Sequence, residues 1–180
     1  MDIVAAGPGD EALLLDLLNS TPVIDGVASD ELGDPVTAQA WLNSHGAGQA
    51  NEQRLQELID VRNALQDVVR GGRSPQALQP FLDGVGLSPT FSDDGLTWTL
   101  TTHGTSPAAA RAILAWDALR ITNPGRLRPC ANPECQLFLI DRSKPNTARW
   151  CSMSICGNRM KARRHYQRNK ATVQPRAHRD

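Results

Sequence analysis

Leucines at 13, 14, 17 and 18 recur with the 3.6-residue period of a helix that buries one face. Asp10 and Glu11 precede them, where the positive end of a helix dipole favours acids, and the stripe stops near Asn19. Residues 21–33 carry Pro22, Gly26 and Gly33 among Asp25, Asp30 and Glu31, which predicts a loop. Asp34-Pro35 offers an N-cap followed by proline at the first helical position, opening a short helix through Trp41 and Leu42. The strongest pattern covers residues 51–70, where Leu55, Leu58, Ile59, Arg62, Leu65, Val68 and Val69 mark one face and Gly71-Gly72 provides the stop. Ser74-Pro75 starts a further predicted helix, with Leu78, Phe81, Leu82 and Val85 as its apolar set.

Around residue 88 the period changes to two. Thr90-Phe91 and residues 96–102 flank Ser92-Asp93-Asp94-Gly95, and Leu96, Trp98 and Leu100 alternate with threonines, which predicts a small β-hairpin with one covered face. Ser106-Pro107 opens the next helix, whose stripe of Ala110, Ile113, Leu114, Asp117, Ala118 and Ile121 runs down to Asn123-Pro124-Gly125. That Pro-Gly pair marks a domain boundary. The expected fold class is α+β: a mainly helical domain over residues 1–124 with a small hairpin, a second small unit over 125–170, and a charged tail over 171–180.

Composition narrows the class. With 180 residues, 40% hydrophobic and 21% charged, the chain fits one globular domain or two small ones. No apolar run approaches the roughly 18 residues of a membrane span, so a membrane-spanning role is excluded. The chain opens with acids and has no Lys or Arg before Arg54, unlike the basic start of a secretory signal, so the cytoplasm is the expected compartment. The zero net charge conceals two opposite parts. Residues 1–119 hold five basic and 16 acidic residues, a charge of −11; residues 120–180 hold 14 basic and three acidic ones, a charge of +11. Such asymmetry points to a segment for nucleic acid or another anionic surface; the alternative is that the halves attract each other or are merely solvated.

All four cysteines fall within 27 residues of the basic part: Cys130 and Cys135, then fifteen residues, then Cys151 and Cys156. In a reducing compartment such pairs are metal ligands rather than disulfides, with a redox cluster as the alternative. Four thiolates fill the tetrahedral shell of one Zn2+ and leave no position for a reacting water, so the site is structural. Asn132-Pro133 forms a turn in the first pair, and the second pair precedes a helix predicted over 158–169. A strand over 137–140, returning through 148–150, would complete a treble-clef-like finger with Trp150 and Phe138 as its miniature core. A unit of this size depends on the metal for most of its folding free energy.

Beyond Cys156, residues 157–170 carry six Lys or Arg. Standing on a rigid zinc base, such a helix can neutralise phosphates, so duplex DNA is the expected partner. The candidate contacts are Arg142, Lys144, Arg149, Asn158, Arg159, Lys161, Arg163, Arg164, Arg168 and Lys170, with Met160, Ala162 and Tyr166 packing inward. Asn158 and Arg159 could instead donate to the ligand sulfurs, and Gly157 serves a tight turn or close packing. An acidic protein partner and RNA are the competing readings. His45, His103, His165 and His178 lack metal spacing, and no phosphate-binding loop, nucleophile motif or HExxH is present. Asp25, Asp30, Glu31 and Asp34 could bind a hard cation, but most acidic loops are solvated, and no enzymatic activity is expected.

The run from Cys130-x4-Cys135 through Phe138-Leu139-Ile140-Asp141-Arg142-Ser143 to Arg149-Trp150-Cys151-Ser152-Met153-Ser154-x-Cys156-Gly157-Asn158-Arg159 resembles the bacterial CGNR zinc finger family over residues 127–169. Residues 10–120 are similar to its usual N-terminal partner, the ABATE domain, through Leu15-Asp16-Leu17-Leu18-Asn19-Ser20 and the later leucine-rich helices. Ser20 stands where the family has threonine, and Lys144-Pro145-Asn146-Thr147 replaces the usual Asn/Gly-rich loop. The resemblance implies a stress-related transcription regulator whose finger binds DNA and whose N-terminal domain senses or binds a small molecule it does not identify.

Overall fold

The computed structural model describes residues 6–7, 9–24, 26–93 and 95–173. Asp25, Asp94, His178 and the tail beyond 173 lie outside the described residues. Helix α1 (Asp10–Asn19) is the centre of the fold: Leu13, Leu14, Leu17 and Leu18 are wholly buried. Helix α2 (Pro35–Ser44) begins on Asp34, whose carboxylate accepts from the Val36 and Thr37 amides at 3.0 and 3.1 Å. Helix α3 (Glu52–Arg70) is capped by Asn51 and stopped by Gly71 at φ 78°. Helix α4 (Pro107–Thr122) turns Ala108, Ala109, Ala112 and Ala115 inward, and these small side chains let it lie close against α1. Leu58, Val61 and Leu65 of α3 close another side.

Arg62, set within the apolar stripe of α3, is buried because it has a full set of partners. Its guanidinium grips Asp30 at 2.6 and 2.8 Å and donates to the Ser20 hydroxyl at 3.1 Å, pinning the 21–33 segment onto α3. Arg111 of α4 binds Asp10 at 2.7 Å, fixing the start of α1. The acids Asp30 and Asp34 are thus engaged in an ion pair and a helix cap.

Several elements differ from expectation. The predicted loop holds a minimal antiparallel pair, β1 (Val23–Ile24) and β2 (Val27–Ala28). The helix expected after Ser74 is a 3₁₀ helix, Pro75–Leu82; Pro80 inside it has no N–H to offer an α-helical bond. Val85 belongs to the hairpin, whose strands β3 (Val85–Ser92) and β4 (Gly95–Thr102) are eight residues each. The hairpin's expected covered face is largely open, with Phe91 85% and Leu96 50% exposed. At its base Gly84, at φ 74°, passes so near the His103 carbonyl that a Cβ would lie 2.5 Å from the oxygen.

In the C-terminal unit, β6 (Phe138–Ile140) pairs antiparallel with β5 (Leu127–Pro129), not with residues 148–150 as expected. The first cysteine pair therefore lies in the loop of this hairpin, while residues 148–150 attach by a single backbone bond from Ala131 to the Arg149 carbonyl, 2.8 Å. Phe138, expected in the finger's own core, is 1% exposed within the main core. Asn19 at the end of α1 accepts from its amide at 2.7 Å and donates to its carbonyl at 3.3 Å, and Arg70 lies 4.5 Å over its ring. Helix α5 (Asn158–Val173) continues past residue 169, and Tyr166 and Ala162 are exposed rather than packed inward, because no element among the described residues covers them; Met160 is half-buried.

Replacing Phe138 by alanine removes the largest side chain shared by the two parts and should cost about 3–5 kcal/mol. Urea unfolding of the whole chain should then shift as one transition, helical signal included. Acid should weaken the fold as well. Burial pushes the Asp30 carboxyl up, but Arg62 and the Leu32 amide outweigh it and hold it below the usual carboxylate range. Its contribution is present above that range and is lost as pH falls through the lowered value; Asp30→Asn should flatten this part of a melting-temperature profile against pH.

Candidate metal centre

The β5–β6 loop is folded by short-range bonds. Cys130 donates its amide to the Leu137 carbonyl at 2.8 Å, and Cys135 donates to the Asn132 carbonyl at 2.9 Å, which turns both thiols of the first pair to one side. The second pair frames a single wide turn, Met153–Gly157, capped by the Ser152 hydroxyl, which accepts from the Ile155 amide at 3.3 Å. Gly157 lets Met153 and Trp150 close over that turn: a Cβ there would lie 2.9 Å from the Met153 sulfur and 3.4 Å from the Trp150 ring.

All four Sγ atoms lie within 4.8 Å of one another. Cys135 and Cys151 are 3.7 Å apart, and Cys151 and Cys156 are 3.6 Å apart. Four sulfurs at about 2.3 Å from one Zn2+ form a tetrahedron with edges of about 3.8 Å, whereas a disulfide needs about 2.05 Å. The cysteines are unbridged and fit one structural zinc held by four thiolates. N–H groups are aimed at the sulfurs, the Leu137 amide at Cys135 among them. The Asn132 amide donates to Cys156 and the Cys151 backbone N–H to Cys130, each at 3.5 Å.

Asn132 is wholly buried, yet in the sequence it looked like a turn residue only; its position inside the first pair, two residues after a ligand, was the available signal. Asn158, one of the expected donors to sulfur, instead donates to the Ser154 carbonyl at 3.2 Å. Asp141 was also missed as a structural residue. It is 1% exposed and accepts from the Ser143 and Ala148 amides and from Arg128, so the 142–148 loop is built around it. Its bonds with Ser143, the Ala148 amide and the Arg128 charge hold its carboxyl below the usual range.

Without metal, burial pushes the Cys135 thiol up to about 11 and drives Cys151 upward still further. For Cys156 burial also acts upward, but the Asn132 amide and the neighbouring thiols outweigh it and bring it below the ordinary thiol range. Two of the ligands therefore hold their protons at neutral pH until a cation displaces them.

The ten basic-surface candidates fall into separate groups. Lys161, Arg164 and Arg168, with Gln167, line one shallow strip of α5. Arg163 turns back to Glu134 at 2.9 Å, and Arg149 and Arg164 lie 5.3 and 5.9 Å over the Trp150 ring. Arg142 pairs with Glu11 of α1 at 2.6 Å, and Lys144 borders the same recess, away from α5. Lys170 is exposed farther along the helix. Arg159 stands at an apolar cleft of about 490 Å³ between α1, β1 and the zinc unit, lined by Leu15, Pro22, Val23, Leu137 and Ile155. No described helix is long and apolar enough to cross a membrane.

A family model described as "Putative stress-induced transcription regulator", ABATE, matches residues 11–123. A second, the CGNR zinc finger, matches residues 126–169 and takes in all four thiols. No curated protein matches the chain.

Zinc loading at pH 7 should release at least two protons per ion, read by calorimetry in buffers of different ionisation enthalpy, and zinc affinity should fall as pH is lowered. Asn132→Ala should weaken zinc about 10–100-fold in competition with a chelator, since the ligand sulfur it supports is left without its donor.

Proposed function

We propose that the chain, which belongs to the ABATE family and carries a CGNR zinc finger, regulates transcription by laying the basic strip of α5 along duplex DNA. The observation that carries this reading is the strip itself. Lys161, Arg164 and Arg168 project from an exposed helix that starts two residues beyond the zinc ligand Cys156, so the metal sets the direction of a cationic arm. Cations at this spacing suit successive phosphates, where displaced counterions drive binding. Trp150 lies beneath Arg149 and Arg164 and supports them by cation–π contact.

In this reading Arg163, paired to Glu134, holds the arm to the first cysteine loop, and Arg142, paired to Glu11, holds the finger to α1. The N-terminal unit is the sensing part, and the apolar cleft beside the zinc unit is where a small apolar molecule would act on the finger. The closed four-thiolate shell holds shape, and the reading assigns the chain no catalysis of its own.

Zinc-loaded protein should bind random-sequence duplex DNA with an affinity that falls linearly on a log–log plot against salt. Lys161→Ala and Arg164→Ala should each weaken binding to all sequences alike and reduce the slope by about 0.9. Absent or salt-insensitive binding by folded, zinc-loaded protein overturns the reading, as does a preference for single-stranded RNA over duplex DNA.

A further inference from the structure

The hairpin β3–β4 is used neither by the zinc centre nor by the basic arm, and its chemistry is unlike that of the rest of the surface. Its sixteen strand residues include no charged side chain. The register pairs Leu87 with Leu100, Pro89 with Trp98 and Phe91 with Leu96, and directly opposed residues share a face, so six apolar side chains line one side of the ribbon. The other side carries Ser88, Thr90, Thr97, Thr99 and Thr101, with the Thr90 and Thr99 hydroxyls 3.1 Å apart. Towards the tip the apolar side lies open: Phe91 is 85%, Leu96 50% and Trp98 37% exposed.

A two-stranded ribbon is marginal in water unless something covers its apolar side. Exposed sheet elements ordinarily carry charges that discourage association, and none is present here. A surface depleted of charge and carrying Phe and Trp has the composition of an interface core. We infer that this side of the hairpin joins two copies of the chain, face to face about a twofold axis.

The chemistry selects a second copy. Nucleic acid finds no cation on the ribbon, and Asp93 in its turn, together with the −11 charge of residues 1–119, opposes an anionic bilayer. A neutral apolar face is complementary to itself, as a twofold contact requires. Pro89 lacks an N–H, which blunts the outer edge of β3 against strand addition, and packing of the two faces covers Phe91, Leu96 and Trp98, which pairing along the β4 edge would leave open.

Area sets the strength. With about 150–250 Å² per aromatic side chain, Phe91, Leu96 and Trp98 together leave roughly 350 Å² open on each copy. Two such faces, with Leu87, Pro89 and Leu100 at their margins, bury on the order of 1,000 Å², the low end of specific interfaces. The dimer is accordingly weak, forming over micromolar concentrations.

Sedimentation equilibrium of the full zinc-loaded chain, without nucleic acid, tests this independently of DNA binding. Between roughly 1 and 100 µM the mass should rise from 19.6 kDa towards twice that value. Phe91→Glu should weaken association at least tenfold, and Leu96→Ser should weaken it in the same direction; Thr90→Glu, on the hydroxyl side, should leave it unchanged. Far-UV circular dichroism checks that each variant is folded. A mass of one copy throughout the range overturns the inference, including the case where the face is taken by neutral lipid or another protein. So does association unaffected by Phe91→Glu, or lost equally in Thr90→Glu.

Discussion

Four sulfurs facing one small volume constrain the C-terminal unit more than any apolar contact does. A thiolate shell needs every ligand at one distance from a common centre, so the two cysteine pairs are fixed relative to each other. Everything attached to them inherits that fixity: the β5–β6 hairpin upstream and α5 downstream. The Asn132 amide and the Cys151 N–H are both turned to sulfur here, because thiolates drawn out of water need hydrogen bonds. The zinc unit is nevertheless not a bead on a string. Phe138 leaves it to enter the main core, and both backbone groups of that residue are taken by Asn19.

The charge division acquires a structural meaning in this light. Between the acidic and the basic parts the long-range ion pair among the described residues is Arg142 with Glu11, beside the packing of Phe138. Lys161, Arg164 and Arg168 line a strip of α5 together with Gln167 and with no residue of the acidic part. Arg62 and Arg111 show the opposite use of the same side chain, each committed to a single carboxylate that anchors α1 or its neighbouring loop.

Much of this was legible in the chain because the signals were local. Caps and stops at Asp34, Asn51 and Gly71 announce helices by chemistry that acts within three or four residues, and the cysteine spacing announces a metal site in the same way. What was illegible depended on distant partners. Phe138 looks like a finger residue until α1 is seen to receive it, and Asn19 has no local reason to be an asparagine. The strand partner of β6 lay on the near side of the first cysteine pair, and alternation over 138–140 says nothing about which neighbour a strand will choose. Alternation in β4 did give the hairpin, but alternation alone does not say whether the apolar side is covered.

Helix α1 occupies residues 10–19, yet besides α3 what encloses it comes from α4 at 107–122 and β6 at 138–140. During synthesis its four buried leucines therefore emerge roughly 90–120 residues ahead of α4 and β6, which supply much of the surface that will cover them. At ribosomal speed that is an interval on the order of ten seconds, in which a sticky segment waits on an unfinished chain. The acids that surround the stripe, Asp10, Glu11 and Asp16, keep that waiting segment hydrated, and Asp10 and Glu11 then become anchors in the finished molecule.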